Sequence, residues 1–285
     1  MRGWSGARWT TLLSGTVAFP IIVRQAGIRR VSEQGGPVLH IGTSGWSYKG
    51  WVGPFYPPRT PQGDYLRHYA GEFRVVEVDS TFYRIPHPRM VEGWREATPE
   101  GFVFCPKGPQ LITHEKRLRD CGPELHLFLD SLGRLGPKLG PIVWQFEYTF
   151  QADQLETLDR FLGELPAAHR YAVEIRHRSW LRDDFYALLE RHRVALVLAD
   201  LFYMPKLNRA TTDFAYIRLL GKRSEVPDDF SRVVINRDKE LALWSGRIHD
   251  FLARGLAVFV FANNRFQGHG PATVRALQTL IERPE

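Results

Sequence analysis

The segment VLHIGTSGW (residues 38–46) runs from apolar residues onto polar ones, and the same change returns seven more times along the 285-residue chain. The other runs are VVEVDSTFY (75–83), FVFCPKG (102–108), PIVWQFE (141–147), YAVEIRH (171–177), ALVLAD (195–200), AYIRLLGKR (215–223) and AVFVFANN (257–264). Most of the gaps between them carry apolar residues three and four positions apart, which is typical of amphipathic helices. Eight alternations of strand and helix predict an α/β fold, a closed parallel (β/α)8 barrel of the TIM type.

Two parts of the chain depart from this alternation. Residues 201–213 are short and rich in Pro, Asn and Thr, so we expect the helix after strand six to be short or degenerate. Residues 1–36 end at a Gly-Gly-Pro break, which predicts a disordered N-terminal extension followed by a single barrel domain over 37–285. A targeting peptide or a basic arm is the alternative for this extension.

The positive charge of the chain is concentrated in that extension. The formal charge is +7, and residues 1–36 hold five Arg against one Glu, which contributes +4 and leaves about +3 for the barrel. This small excess gives only weak support to nucleic-acid binding. Nor does any apolar run approach the length of about 18 residues that a transmembrane helix needs. Neither Cys105 nor Cys121 lies in a CxxC or Cys/His ligand pattern, so a reducing, cytoplasmic location is expected, with one disulfide between the two as the alternative.

Charged residues inside the apolar runs identify the candidate site. A charge facing the helix layer would be buried at a cost of several kcal/mol, whereas the top of the barrel lies near solvent and substrate. We therefore expect seven side chains to converge at the carboxyl ends of the strands: Glu77, Asp79, Lys107, Glu174, Arg176, Asp200 and Arg218.

Acid–base chemistry is the function that such a set of charges favours, because crowded charges in a cleft move pKa values apart. Glu77 and Glu174 are the candidates for proton transfer, with Lys107 and Asp200 beside them as catalytic candidates. Lys107 and Arg218 suit an anionic or carbonyl group, and Arg176 suits the orientation of a carboxylate. His114 and His177 lie on neighbouring loops. The alternative is a salt-bridge network that only closes the top of the barrel.

Other side chains at strand ends allow further interpretations. Trp46 and Tyr83 belong to a set of aromatic residues that either stack on a substrate or form a hydrophobic lid. Asn263 and Asn264 precede a predicted helix start, where an anion or hydroxyl group would fit, or they cap that helix. Glu147 lacks the second carboxylate that a retaining glycosidase requires. No metal-ligand spacing is present, so neither a catalytic metal nor another cofactor is expected.

Six long motifs resemble the domain of unknown function 72 (YecE-like) family: IGTSGWSYKGW with FYPP, VEVDSTFYRIP, FCPKGPQLITH, VEIRHRSW, AYIRLLG and FVFANNRFQGHGPATVRAL. The resemblance covers about residues 38–281 and implies a TIM-type barrel without an established activity. It points to Gly45, Trp46, Glu77, Ser80, Thr81, Tyr83, Lys107, His114, Glu174, Arg176, Arg218 and Asn263. Where the family tends to carry Q-x-P, this chain has Gln145-Phe146-Glu147, which favours Gln145 as a pocket residue and disfavours Glu147.

The leading hypothesis is therefore an enzyme, of the hydrolase or lyase class, that uses acid–base chemistry on a small polar substrate. That substrate is expected to be anionic or sugar-like and to bind at the C-terminal face of the barrel. A barrel acting on nucleic acid is one alternative, and a non-catalytic protein that binds a ligand in the same pocket is another. No membrane association is expected.

Overall fold

Eight parallel strands of the computed structural model, which describes Ile22–Val23 and residues 37–282, follow the eight apolar runs. They are β1 (Val38–Ser44), β2 (Val75–Val78), β3 (Val103–Pro106), β4 (Ile142–Gln145), β5 (Tyr171–Glu174), β6 (Ala195–Asp200), β7 (Phe214–Leu219) and β8 (Ala257–Ala262). Hydrogen-bonded ladders join them in the order β3-β2-β1-β8-β7-β6-β5-β4. The predicted barrel is confirmed.

The barrel closes between β3 and β4 without a continuous ladder. Phe104 accepts from the backbone N–H of Gly140 at 2.7 Å, and Gly108 donates to the carbonyl of Val143 at 2.8 Å. Isolated bridges pair Phe104 with Leu139 and Lys107 with Val143. This seam leaves the barrel nearly closed, and it lies beside one of the candidate site residues, Lys107.

Helices fill most of the gaps between the strands. They are α1 (Tyr65–Glu72), α2 (Ser80–Tyr83), α3 (Pro88–Glu96), α4 (Gly122–Gly133), α5 (Leu155–Glu164), α6 (Asp183–Arg191), α7 (Asp238–Ala253), α8 (Asn264–Gln267) and α9 (Gly270–Glu282). Residues 201–213, all of which the structure describes, contain no helix, as the composition of that segment predicts. No helix in the described ranges is both long and apolar enough to cross a membrane.

Two apolar layers alternate along the strands. The larger cluster fills the space between the strands and the helices. A second cluster takes every other strand residue, for example Phe214 and Tyr216 on β7 with Phe259 and Phe261 on β8. Because successive side chains of a strand point to opposite faces, this second cluster is the filling of the barrel interior. The alternation fixes which strand-end residues point inward.

The segment preceding the barrel is described only at Ile22–Val23. These two residues form a short strand parallel to β1, in register with Val38 and Leu39. The prediction of a disordered extension otherwise falls on residues 1–21 and 24–36, which lie outside the described part of the chain.

Candidate functional site

Arg218 is the centre of a buried charge cluster in the upper barrel. It follows Tyr216 on the inward face of β7, and its side chain is 3% exposed. Its Nε and Nη2 donate to Oε1 of Glu77 at 3.1 and 2.6 Å, and its Nη1 donates to Oε2 of Glu174 at 2.5 Å. Nη2 also reaches Oδ1 of Asp79 at 3.3 Å. One guanidinium thus ties β2 to β5 across the interior.

Glu77 is fully enclosed by donors. Oε1 also accepts from Ser44 Oγ at 2.8 Å, and Oε2 accepts from the Tyr216 hydroxyl at 2.8 Å. Burial raises the pKa of Glu77, and the charge of Arg218 offsets that rise only in part. The carboxylate has no exposed surface, and its hydrogen bonds hold Ser44, Tyr216 and Arg218 in place.

Glu174 shares its two oxygens between two arginines. Oε2 binds Arg218, and Oε1 forms an ion pair with Nη2 of Arg176. Burial alone would raise the pKa of Glu174, but the charges of Arg176 and Arg218 outweigh it and lower that pKa. Arg176 is partly exposed and also reaches the Tyr203 hydroxyl at 3.5 Å.

Lys107 differs from the other buried charges of the described chain. The others each have an ion-pair partner: Glu77, Glu174, Asp200 and Arg218. The Nζ of Lys107 has none among the described residues and lies over the Phe82 ring, 3.7 Å from its centroid. Burial lowers the pKa of Lys107 to about 8, since the attraction of Asp79 is opposed by the charge of Arg218. Thr81 Oγ1 fixes the backbone of this lysine by accepting from its N–H at 3.1 Å and donating to its carbonyl at 2.7 Å.

A strained segment follows Lys107. Residues Leu111–Glu115 form a turn of π-helix, and Arg117, Leu118 and Asp120 adopt positive φ angles of 49°, 65° and 46°. Such turns and left-handed non-glycine residues are costly and concentrate at functional sites. His114 lies on this turn against Phe82, with its Nδ1 2.8 Å from Thr113 Oγ1. Burial and the charge of Lys107 lower the pKa of His114.

A cavity of about 550 Å³ opens beside the charge cluster, at the ends of β1, β2 and β8. Four aromatic side chains line it: Trp46, Tyr48, Tyr83 and Phe230. Its polar wall includes Asp79, Asn263 and Arg223. Asp79 is the point where the two features meet, because its carboxylate lines the cavity and also contacts Arg218. The sequence placed Asp79 at the top of the barrel, and the structure adds that it connects the cavity to the cluster.

The aromatic loop after β1 is divided between the two roles considered for it. Trp51 and Tyr56 are buried, so this part of the loop packs as a lid. Trp46 and Tyr48 are partly exposed and line the cavity, where their rings are available to a ligand.

The expected anion or hydroxyl site after β8 is occupied by the protein itself. Asn263 Oδ1 caps α8 by accepting from the Arg265 N–H at 2.9 Å. At the start of α9, Asn264 Oδ1 accepts from the Gly270 N–H at 2.8 Å, and His269 Nδ1 accepts from the Ala272 N–H at 3.2 Å. The helix donors that would hold an anion are therefore already used, although Asn263 still lines the cavity.

Asp200 does not join the cluster, contrary to the sequence prediction. Its Oδ2 accepts from Trp244 Nε1 at 2.7 Å and pairs with Lys206 at 3.1 Å. Ala195 and Val197 of the same strand belong to the interior cluster, so the alternation of β6 turns Asp200 outward, towards α7. The cost of burial that argued against this position is offset by the indole and ammonium donors.

The remaining predicted residues lie around the cluster with local partners. Gln145 is buried at the end of β4, and its Nε2 donates to the Phe146 carbonyl at 2.8 Å. His177 caps the turn after β5, with Nδ1 2.9 Å from Ser179 Oγ. Glu147, which the sequence disfavours as a catalytic acid, forms a partly exposed ion pair with Arg117. Within the described ranges no three His, Cys, Asp or Glu side chains form a group suited to a metal ion.

Comparison with known proteins relates this chain to a family. A model described as "Protein of unknown function DUF72" matches residues 40–285. The UPF0759 protein YecE of Escherichia coli (strain K12) is 36% identical over 140 residues, which are 49% of this chain and 49% of that protein. The UPF0759 protein YunF of Bacillus subtilis (strain 168) is 31% identical over 160 residues, 52% of this chain and 54% of that protein. The chain thus spans about half the length of the curated relatives it matches.

Solved structures share the barrel. A DUF72 family protein from Thermotoga maritima is 26% identical and aligns with a TM-score of 0.74, covering 86% of this chain and 100% of that one. A DUF72 family protein from Enterococcus faecalis is 21% identical, with a TM-score of 0.69 and coverage of 88% and 100%, which shows likeness of fold alone.

Proposed function

This chain belongs to the DUF72 family, whose description assigns no reaction, and we propose from its site that it is an enzyme using acid–base chemistry on a small polar metabolite. The metabolite binds in the cavity at the ends of β1, β2 and β8, and hydrolysis or elimination is the reaction class that suits the groups available. The position of Asp79 carries this proposal, because it is the member of the charge cluster that also lines the cavity.

The roles of the other residues follow from their exposure. Glu77 and Glu174 are buried and hold Arg218, which in turn orients Asp79. Lys107 and His114 both contact the Phe82 ring, and the pKa of Lys107, lowered to about 8, suits proton transfer near neutral pH.

The cavity wall supports a sugar-like or anionic substrate. Trp46 and Tyr83 offer rings on which a sugar or a flat group stacks. Asn263 and Asp79 offer an amide and a carboxylate for hydroxyl groups, and Arg223 is exposed at the rim, where it suits an anion. Both cysteines are free thiols, which supports a reducing, cytoplasmic location.

A thermal-shift screen against a metabolite library tests the proposal. A ligand present at 100 times its dissociation constant adds about 2.7 kcal/mol to the stability of the protein. We expect Asp79→Asn to lose most of the shift that a hit produces. Glu147→Gln is the matched control, because Glu147 likewise follows a strand of the barrel and pairs with an arginine but lies outside the cavity. Equal shifts in both variants would refute the assignment of the site, and a bound metabolite recovered intact without turnover would favour a binding protein.

Nucleic-acid binding is a second candidate function, favoured by aromatic side chains that are largely exposed to solvent. Tyr83, Tyr148 and Phe202 are 72%, 60% and 69% exposed, and Lys222 lies 5.3 Å from the centroid of the Phe202 ring. Exposed rings beside cations suit the stacking of unpaired bases. A salt titration of binding to single-stranded DNA and RNA, on residues 37–285 and on the full chain, tests it. Affinity that does not fall with salt, or no affinity, would exclude this function.

A further inference from the structure

We infer that Lys107 is a nucleophile that forms a Schiff base with the carbonyl carbon of a small aldehyde or ketone. This inference rests on the proposed function, since it assigns a substrate class and a first covalent step to the charge cluster that adjoins the cavity through Asp79. The observation behind it is that the amine forms no ion pair with a carboxylate of the described chain and lies over the Phe82 ring, in a cluster where every other buried charge is paired.

The surroundings of Lys107 are those of an activated amine. The amine lies over the Phe82 ring, whose face attracts an ammonium, whereas burial and the nearby guanidinium of Arg218 disfavour its positive charge. Desolvation and a neighbouring cation are the two means by which proteins make a lysine nucleophilic at neutral pH. The acids that face the amine, Asp79, Glu174 and Glu77, attract the ammonium, yet burial outweighs them.

The pairing of those acids explains why they leave the amine free. Both carboxylates at the centre of the cluster are bound to arginines, Glu77 to Arg218 and Glu174 to Arg218 and Arg176. A lysine that served only to neutralise them would be expected to contact one of their oxygens. Lys107 instead points its amine at a ring, so its contribution is not that of a salt bridge.

The covalent step balances with groups that lie beside the amine. The ammonium loses one proton to a base, and its nitrogen lone pair then attacks the carbonyl carbon as the C=O π pair moves to oxygen. Return of that proton and transfer of a second one from nitrogen release the oxygen as water and leave the protonated imine. Asp79 and His114, both partly exposed, are the residues placed to carry these protons. No oxidant or reductant is required.

The site favours small, polar carbonyl compounds. Lys107 retains 8% of its surface, so a bulky substrate does not reach it. Arg176 lies beside the cluster with part of its side chain exposed and suits a carboxylate or phosphate on the same molecule. A hydroxyaldehyde or an oxo acid of a few carbon atoms has the required size and charge.

Reductive trapping on the full chain tests the inference. The protein is incubated at about pH 7.5 with sodium cyanoborohydride and, in separate reactions, glycolaldehyde, pyruvate or dihydroxyacetone phosphate. Peptide mass spectrometry then gives the rate of modification of each lysine. With a pKa of about 8, about a quarter of Lys107 is unprotonated, against about one in a thousand for an ordinary lysine. After allowing for the weaker basicity and burial of the amine, we expect at least about tenfold faster modification with one or more of the three compounds.

The chain supplies its own controls. The other lysines, which are mostly exposed or ion-paired, are Lys49, Lys116, Lys138, Lys206, Lys222 and Lys239. Lys107→Arg keeps the charge and should abolish the fast modification, whereas Lys222→Arg should not change it. The comparison within the wild-type chain stands even if Lys107→Arg does not fold.

The outcomes separate this inference from the proposed function. Modification of Lys107 at the rate of the other lysines, with all three compounds, overturns the Schiff base. If a library hit then still shifts the melting temperature through Asp79, the acid–base function stands without a covalent step. Failure of both experiments removes the site altogether.

Discussion

Oε1 of Glu77 accepts from two nitrogens of Arg218, Nε at 3.1 Å and Nη2 at 2.6 Å, inside a barrel where neither side chain reaches solvent. This contact makes the charge cluster a structural requirement as well as a candidate site. Each buried ion depends on its partners, because the interior offers no water to replace them.

Glu77→Gln should therefore destabilise the fold. Removal of one partner from a buried ion pair costs about 3–5 kcal/mol, and the contacts of Arg218 with Glu174 and Asp79 should hold the loss near about 3 kcal/mol. Urea unfolding measures it. Glu147→Gln, which breaks a partly exposed pair, should cost less than about 1 kcal/mol. Equal losses in the two variants would show that the central cluster is not a closed network.

Gly50→Ala should disturb the wall of the cavity. A Cβ at this position would lie 1.5 Å from the carbonyl oxygen of Asp229, next to Phe230, so the backbone must move. We expect a loss of about 1–3 kcal/mol in unfolding free energy, the usual range for overpacking, together with weaker binding of any library hit. Gly63→Ala is the control, since nothing lies within 4 Å of its added methyl group. Similar melting temperatures for both variants would contradict the close approach.

The two adjacent asparagines after β8 should differ when each is changed to alanine. Asn264 Oδ1 accepts from Trp51 Nε1 at 3.1 Å and from the Gly270 N–H, so its loss leaves two buried donors unpaired at a cost of about 2–3 kcal/mol. Asn263 caps only the four-residue α8, and its loss should cost about 1 kcal/mol or less. Chemical denaturation distinguishes the two, and a reversed order would reject the assigned roles.

Protonation of His269 should make the protein less stable as the pH is lowered. Burial against Trp51, with the charge of Arg275, lowers the pKa of His269 to about 4 from the usual 6.5. Between these two pH values the unfolded chain binds a proton at His269 that the folded chain does not bind. The contribution of neutral His269 to the free energy of unfolding is therefore complete above pH 6.5 and is lost as the pH falls towards 4. We expect a loss of about 1–2 kcal/mol, below the full value of the shift because of solvent screening. His269→Gln should flatten the pH dependence of urea unfolding in this range. His126→Gln, at an exposed position, is the control variant.

The barrel can be predicted from the sequence because each strand is an apolar run, and because the alternation of these runs with helical segments is visible without knowledge of side-chain packing. The sequence also predicts that Glu77, Glu174 and Arg218 lie close together. A charge within an apolar strand is costly to bury against the helices and is therefore expected at the end of the barrel interior. The position of Asp200 outside the cluster follows from the alternation of side chains along β6. Ala195 and Val197 face the barrel interior, so Asp200 faces the helices.

Other features depend on contacts that no local pattern encodes. Trp51 and Asn264 are 213 positions apart in the chain, and their hydrogen bond joins the aromatic loop after β1 to the segment after β8. The position of Lys107 over Phe82 depends on side-chain conformations of two different segments. The use of the α9 donors by Asn264 and His269 likewise follows from the folded loop and not from the spacing of those residues.

The incomplete ladder between β3 and β4 gives the charge cluster a mechanical role. A sheet with such a seam has, in effect, two adjoining edges, and thermal opening should begin where only isolated bridges hold them. Arg218 links Glu77 on β2 to Glu174 on β5, the neighbours of the two seam strands, and so acts as a cross-brace over the gap. Lys107, directly after β3, lies beside this gap. The ion pairs of Arg218 therefore hold together β2 and β5, which flank the two strands at the gap in the barrel wall.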